Sequence, residues 1–225
     1  MRPVEKGDAP RSFTKYQQAL PCLAERLGNY CSYCERRISN QLAVEHIQPK
    51  THHEDLLLEW NNFLLACTNC NSTKGRHDLT LDDYYWPDLD NTARAFTYRG
   101  DSPVRVSDAL SDDERGRAQR TLALTGLDRF PGHPQLTPQD RRWLHRQEVW
   151  NIAQDTRRDL ETSDTPSHRA TVVRAAIGHG FWSVWMIVFA EDVDMKRRLC
   201  EAFPGTASDC FDAGFNPVPR PGGAL

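Results

Sequence analysis

Between Tyr30 and Arg76 the chain reads YCSYCERRISNQLAVEHIQPKTHHEDLLLEWNNFLLACTNCNSTKGR. Two Cys-x-x-Cys pairs, Cys31/Cys34 and Cys67/Cys70, bracket a Glu45-His46 dipeptide and a Trp60-Asn61-Asn62 turn. Four thiolates at this spacing suit a tetrahedral structural Zn²⁺. The residues between them suit different chemistry. Phosphodiester cleavage needs a nucleophilic water, a base to take its proton, and a cation facing the developing charge. His46 is a base of suitable strength near neutral pH. Glu45 and Asn71 offer hard oxygen ligands, which favour Mg²⁺ or Mn²⁺ over zinc. Lys74 and Arg76 stand where a phosphate could be held, and His52, His53 and His77 are nearby candidates to join or replace a ligand.

Each of these has a plainer reading. The cysteines could form a zinc ribbon that only binds nucleic acid or protein. His52, His53 and His77 could be solvated loop residues, and Lys74 could cap its helix. The remaining Cys22, Cys200 and Cys210 leave an odd total of seven, which argues for metal and reduced thiols over a disulfide scaffold.

The elements that must carry these side chains are short. Residues 1–12 are polar and rich in Pro and Gly, an expected extended arm. Phe13, Tyr16, Leu20, Leu23 and Leu27 recur at helical steps, with Pro21 predicting two short helices or a kink. Leu42 and Val44 alternate ahead of Glu45, a strand closed by Pro49, and Phe63–Ala66 is an apolar run leading into the second cysteine pair. Beyond His77 a hairpin is expected around Gly100-Asp101, then a helix over 112–124. A long helix is expected from Pro138 with Thr137 as N-cap, then a linker over 163–167. A helix over 170–189 broken at Gly178–Gly180 and another over 195–203 follow, with a loose tail from Pro217.

At 225 residues the chain can hold one large domain or two small ones. The expected division is residues 1–28 as arm and helices, 29–80 as the zinc-stapled core, and 81–225 as a mainly helical region. No run of eighteen apolar residues and no signal-like N-terminus is present, so a cytoplasmic protein with no membrane association is expected. The net charge of −3 lacks the basic excess of a free-standing DNA binder. Basic residues cluster instead at Arg141-Arg142, Arg157-Arg158 and Lys196–Arg198. Either folding gathers them on one face, or a partner supplies the grip.

Cys-x-x-Cys, Glu-His-Ile-x-Pro and Asn-Phe-Leu-Leu-x-Cys-x-x-Cys-Asn-x-x-Lys together resemble the HNH endonucleases in their four-cysteine form. The resemblance implies an α+β fold: a small ββα-metal HNH core embedded in a mostly helical domain. It maps His46 to the first H, Asn62 to the central N that braces the loop and orients the histidine, and Asn71 to the last metal-binding position. It sets Glu45 beside Asn71 on one catalytic divalent ion, although many family members carry aspartate at the position of Glu45. MRPVEKGDAP, YYWPDLDNTARAFTY and GFWSVWMIVFA extend the resemblance to the HNH subunits of Septu-type anti-phage systems and to similar retron-associated proteins. That implies a DNA endonuclease acting with an ABC/SMC-like ATPase docked on the helical region.

Overall fold

A computed structural model describes residues 1–225. The segment that carries the two cysteine pairs forms a two-stranded antiparallel sheet with a helix behind it. Strand β1 (Ala43–His46) pairs with β2 (Phe63–Ala66), placing Ala43 opposite Ala66 and His46 opposite Phe63. The helix α2 (Thr68–Lys74) follows β2 directly, with Cys67 at its N-cap accepting from the Cys70 amide. All four β2 residues are buried, so its run of consecutive apolar residues is a strand covered on both faces. Ahead of the sheet, α1 (Leu20–Leu27) begins with Pro21 in its first turn after a 3-10 turn over Tyr16–Ala19, so Pro21 marks a junction of two short helices.

The remainder is mostly helical. A one-turn helix α3 (Thr92–Ala95) leads into a hairpin of β3 (Phe96–Thr97) and β4 (Arg105–Val106). Helix α4 (Asp112–Thr125) starts in a Ser111/Glu114 capping box and packs on α2. Then come α5 (Arg142–Thr162), α6 (Pro166–His179), α7 (Trp182–Val188) and α8 (Val193–Ala202). Buried apolar side chains form two clusters. One joins the N-terminal segment, the β1–β2 unit, the hairpin and α4. The other lies among α5–α8 and includes Trp182, Trp185, Met195 and Leu199.

Several expectations change. The helix expected from Pro138 starts at Arg142, because Asp140 turns its carboxylate onto the Arg142 amide and guanidinium and Thr137 only closes a turn. The linker expected over 163–167 is already helical from Pro166, where Thr165 accepts from the His168 amide. The N-terminal arm is interior. Met1 and Val4 are buried, and Arg2 donates to the carbonyls of Leu27 (2.8 Å), Phe203 (3.1 Å) and Pro204 (2.6 Å). Lys6 pairs with Asp88 (2.6 Å) and donates to the carbonyls of Asn61 and Phe63, pinning the turn that enters β2. The tail is likewise tied down: the Leu225 carbonyl accepts from the Asn91 and Arg220 amides. Composition hid this, because isolated Arg and Lys residues in a polar stretch give no sign that buried carbonyls await them.

The helical layer is fastened to the first cysteine turn. Glu35 follows Cys34 directly, and its carboxylate accepts from the Ser183 amide (2.9 Å) and hydroxyl (2.6 Å) at the start of α7 and pairs with the Met1 ammonium (3.3 Å). Gly180, at φ +78°, lies so close that a Cβ there would sit 2.5 Å from the Glu35 carbonyl oxygen. Only glycine fits both constraints. Arg2→Met leaves the Leu27 and Pro204 carbonyls without their donor, at roughly 1–3 kcal/mol for each one left buried and unpaired, while the Phe203 carbonyl keeps the Thr206 amide and hydroxyl. A loss of at least 2 kcal/mol in urea unfolding, with an unchanged helical spectrum, is the expected outcome.

Candidate active site and zinc centre

The four cysteine sulfurs converge. All lie within 4.8 Å of one another, and Cys34 Sγ is 3.7 Å from Cys67 Sγ. Tetrahedral zinc with Zn–S bonds of ~2.3 Å requires sulfurs about 3.8 Å apart, so the donor set fits the ion. Hydrogen bonding to Cys31 and its neighbours holds the Cys67 thiol far below its ordinary range, while the same network raises Cys34 and burial raises Cys70. A zinc ion among the sulfurs would displace the remaining protons and hold all four as thiolates. Arg142 of α5 adds a second layer: its Nη1 donates to Cys70 Sγ (3.0 Å) and to the Thr125 carbonyl (2.7 Å), and Asp140 holds the guanidinium (2.6 Å).

Twelve residues after Cys34 the chain reaches His46 through β1. Alternation along the strand sends Glu45 and His46 to opposite faces. The His46 ring lies edge-on to Tyr16 (4.8 Å) and Phe63 (5.2 Å), and its Nε2 meets the Leu57 carbonyl at 3.1 Å. A carbonyl only accepts, so Nε2 carries the proton and Nδ1 keeps a free lone pair. Burial lowers the imidazole's affinity for protons below its usual value, and Lys50 and Lys74 push the same way. The ring is therefore neutral at physiological pH.

Asn62 explains why the Leu57 carbonyl is there. Its Oδ1 accepts from the Gln48 amide (2.7 Å), and its Nδ2 donates to the carbonyls of Gln48 (3.0 Å) and Leu56 (3.3 Å). Its own carbonyl accepts from the Ile47 amide (2.9 Å). One buried amide thus closes the loop from Gln48 to Asn62 and fixes the peptide adjoining the His46 acceptor.

Glu45 is buried, and its Oε1 pairs with Lys74 Nζ at 2.9 Å. Desolvation raises this carboxyl, and Lys74 draws it back down. Lys74 also donates to the His46 carbonyl (2.8 Å) and is 1% exposed. Lys74 is therefore placed otherwise than expected: its ammonium locks α2 to β1 from inside and does not face an outer phosphate. Arg76 is exposed, two residues past the helix end. Asn71 lies one turn before Lys74 on α2, half-buried, with its side-chain amide unengaged, and Glu45 Oε2 is likewise unengaged. Both oxygens are of the hard kind that a divalent ion takes. His52 binds the Arg76 carbonyl (2.9 Å) and His53 binds Asp78 (2.8 Å), so both close the loop over the end of α2. His77 is exposed.

Two residues near the imidazole went unread in the sequence. Tyr16 packs on His46 from the 3-10 turn before α1, and Lys50 donates to the Tyr16 hydroxyl (3.1 Å) while lying over its ring (4.4 Å). Lys50 sits four residues after His46, and that proximity was the available signal.

Residues 31–77 match the HNH endonuclease family model. The HNH segment begins at the first zinc ligand and ends just past α2, so it coincides with the ββα unit. Over 82 residues the chain is 37% identical to Septu protein PtuB of Bacillus thuringiensis, a match covering 34% of this chain and 32% of that protein. The chain thus spans about a third of the length of the curated relative it matches. Outside the HNH segment, no helix is long and apolar enough to cross a membrane.

The internal ion pair yields a distinct expectation. Lys74→Met strands the Glu45 carboxylate in the interior, a change that costs about 3–5 kcal/mol when a buried pair is broken on one side. Chemical denaturation should show that loss. A phosphate-binding surface lysine would instead leave stability unchanged and weaken only nucleic-acid binding.

Proposed function

We propose that this chain is a metal-dependent HNH DNA endonuclease that serves as the cutting component of an anti-phage defence system. The observation that carries the reading is the His46 arrangement. A buried, neutral imidazole is held by the Leu57 carbonyl with its Nδ1 lone pair free, in a loop closed by Asn62. This is the form a general base needs before it takes a proton from water. The match of residues 31–77 to HNH endonucleases supports the same reaction class.

In this reading His46 accepts the proton of the attacking water at Nδ1, and the developing imidazolium is stabilised through Nε2–H to the Leu57 carbonyl. Asn62 acts on the reaction only by holding that loop. Glu45 Oε2 and the Asn71 side-chain oxygen would hold Mg²⁺ or Mn²⁺, which supplies positive charge to the phosphate oxygens. Lys74 keeps the Glu45 carboxylate ionised and aimed. Arg76 and Lys50 are the exposed cations on hand for neighbouring phosphates. The zinc centre, in turn, would fix the Ala43–Ala66 end of the sheet and take no part in bond cleavage.

The similarity to Septu protein PtuB supports a role in phage defence beside a partner, for which an ABC/SMC-like ATPase is the proposed candidate. Charge supports the need for one. The basic clusters of the sequence are largely neutralised within the fold: Arg142 by Asp140, Arg157 by Glu161, Arg158 by Asp155, and Arg197 and Arg198 by Asp194. A chain with a net charge of −3 and so few clustered free cations has a weak grip on duplex DNA by itself.

The test is plasmid nicking with Mg²⁺ or Mn²⁺, with the candidate ATPase present. His46→Ala should lower the rate about 100-fold or more while zinc content and folding stay unchanged. Equal cutting by the variant, or no cutting of any nucleic acid by the wild type, would leave only a zinc-stapled binding module.

A further inference from the structure

Away from the HNH segment, a cavity of about 200 Å³ opens between α7, α8, the β3 strand and the turn at 212–217. Phe96, Met186, Phe215 and Pro217 give it apolar walls. Its polar lining is unusual in kind. Tyr98 and Ser183 also line it, but their hydroxyls are already engaged with the Met1 ammonium and, for Ser183, with Glu35. One lining group lacks a partner and another has only a neutral one. Trp182, which also lines a smaller cavity beside Arg2 and Tyr30, is 1% exposed and its indole Nε1 has no hydrogen-bond partner. Lys196 is 5% exposed, and its ammonium has a single neutral partner, the Asn216 amide oxygen at 2.9 Å. Asp212, which Asn216 also holds, engages its oxygens with the Gly214 and Asn216 amides and the Asn216 side chain.

A buried ammonium whose one hydrogen-bond partner is neutral, with the Asp212 carboxylate in its field but not in ion-pair contact, is costly, and so is a buried indole N–H without an acceptor. Both deficits have the same sign: donors are present and acceptors are missing. Phe215 adds a second mark of a built site. It lines the cavity at φ +56°, a left-handed conformation that a bulky side chain rarely adopts and that the 212–216 turn enforces.

We infer that this cavity is a binding site for a small carboxylate carried on an apolar stem, its oxygens taken by Lys196 Nζ and Trp182 Nε1 and its stem packed between Phe96, Met186 and Phe215. The size limits the ligand. At about 200 Å³ the cavity is below the roughly 300 Å³ at which sites for drug-sized molecules begin, so the occupant is fragment-sized, one ring or a branched chain with its acid. A free small acid and the C-terminal residue of a polypeptide share this chemistry. The site is independent of the nuclease reading, since none of its residues belongs to the HNH segment.

Titration calorimetry on the full zinc-loaded chain tests it with four probes: 3-phenylpropionate, 3-phenylpropionamide, and a tetrapeptide ending in Phe with a free or an amidated C-terminus. The acid should bind in the sub-millimolar range and its amide at least tenfold more weakly. If the free-acid peptide binds more tightly than 3-phenylpropionate, the occupant is a chain end; if it binds less tightly, a small acid. Lys196→Met should abolish the preference for acid over amide. Ala190→Trp, at an exposed position on the rim, should block all four probes without disturbing the interior, which keeps the test decisive if Lys196→Met does not fold. Equal binding of acid and amide, no binding of any probe, or unaltered acid binding to the Ala190→Trp protein would overturn the assignment.

Discussion

Four sulfurs that must share one cation set the geometry of everything else in this fold. Cys31 and Cys34 lie before β1, and Cys67 and Cys70 cap and open α2, so a single ion would hold the Ala43–Ala66 end of a sheet that has only two four-residue strands. Two strands of that length have no independent stability. Held at one end by the metal and sealed at the other by Asn62, they become rigid enough to aim His46. In the proposed reading the chemistry sits between two staples, and neither staple performs it.

The helical region completes this arrangement by direct contact with the metal turns. Arg142 of α5 donates to a zinc-ligand sulfur, and Glu35, beside Cys34, receives α7. The N-terminal segment passes through the same layer, with Arg2 and Lys6 satisfying carbonyls on both sides. These are buried charged contacts, whose loss on one side costs more than their formation yields. They specify how the ββα unit sits on the helical layer.

Much of this was legible in the residues. Spacing gave the four cysteines that the fold brings together, because short-range motifs of this kind encode local geometry directly. Alternation pointed to the first strand, and the ββα order was what the family resemblance implied. Pairings over long separations were not legible. Lys74 read as a phosphate ligand because nothing in Asn-Ser-Thr-Lys reveals that Glu45, 29 positions earlier, lies beneath it. Arg2, Glu35 and the Leu225 carbonyl were invisible for the same reason. The helix start at Arg142 was misplaced because Thr137-Pro138 is a good helix opening locally, and Asp140 overrides it by binding Arg142.

In the proposed reading one chain holds two metal sites with separate roles, a tetrathiolate centre that organises and an oxygen-ligand site that serves cleavage. Replacing zinc with Co²⁺ makes the first site visible, since a tetrahedral cobalt thiolate has strong visible and near-ultraviolet bands. Titrating Mg²⁺ into the cobalt-loaded protein while following those bands and strand cleavage together tests the claim directly. Cleavage should rise from near zero with added Mg²⁺ while the cobalt spectrum stays constant. Full cleavage without Mg²⁺, or a cobalt spectrum that changes in step with activity, would contradict it.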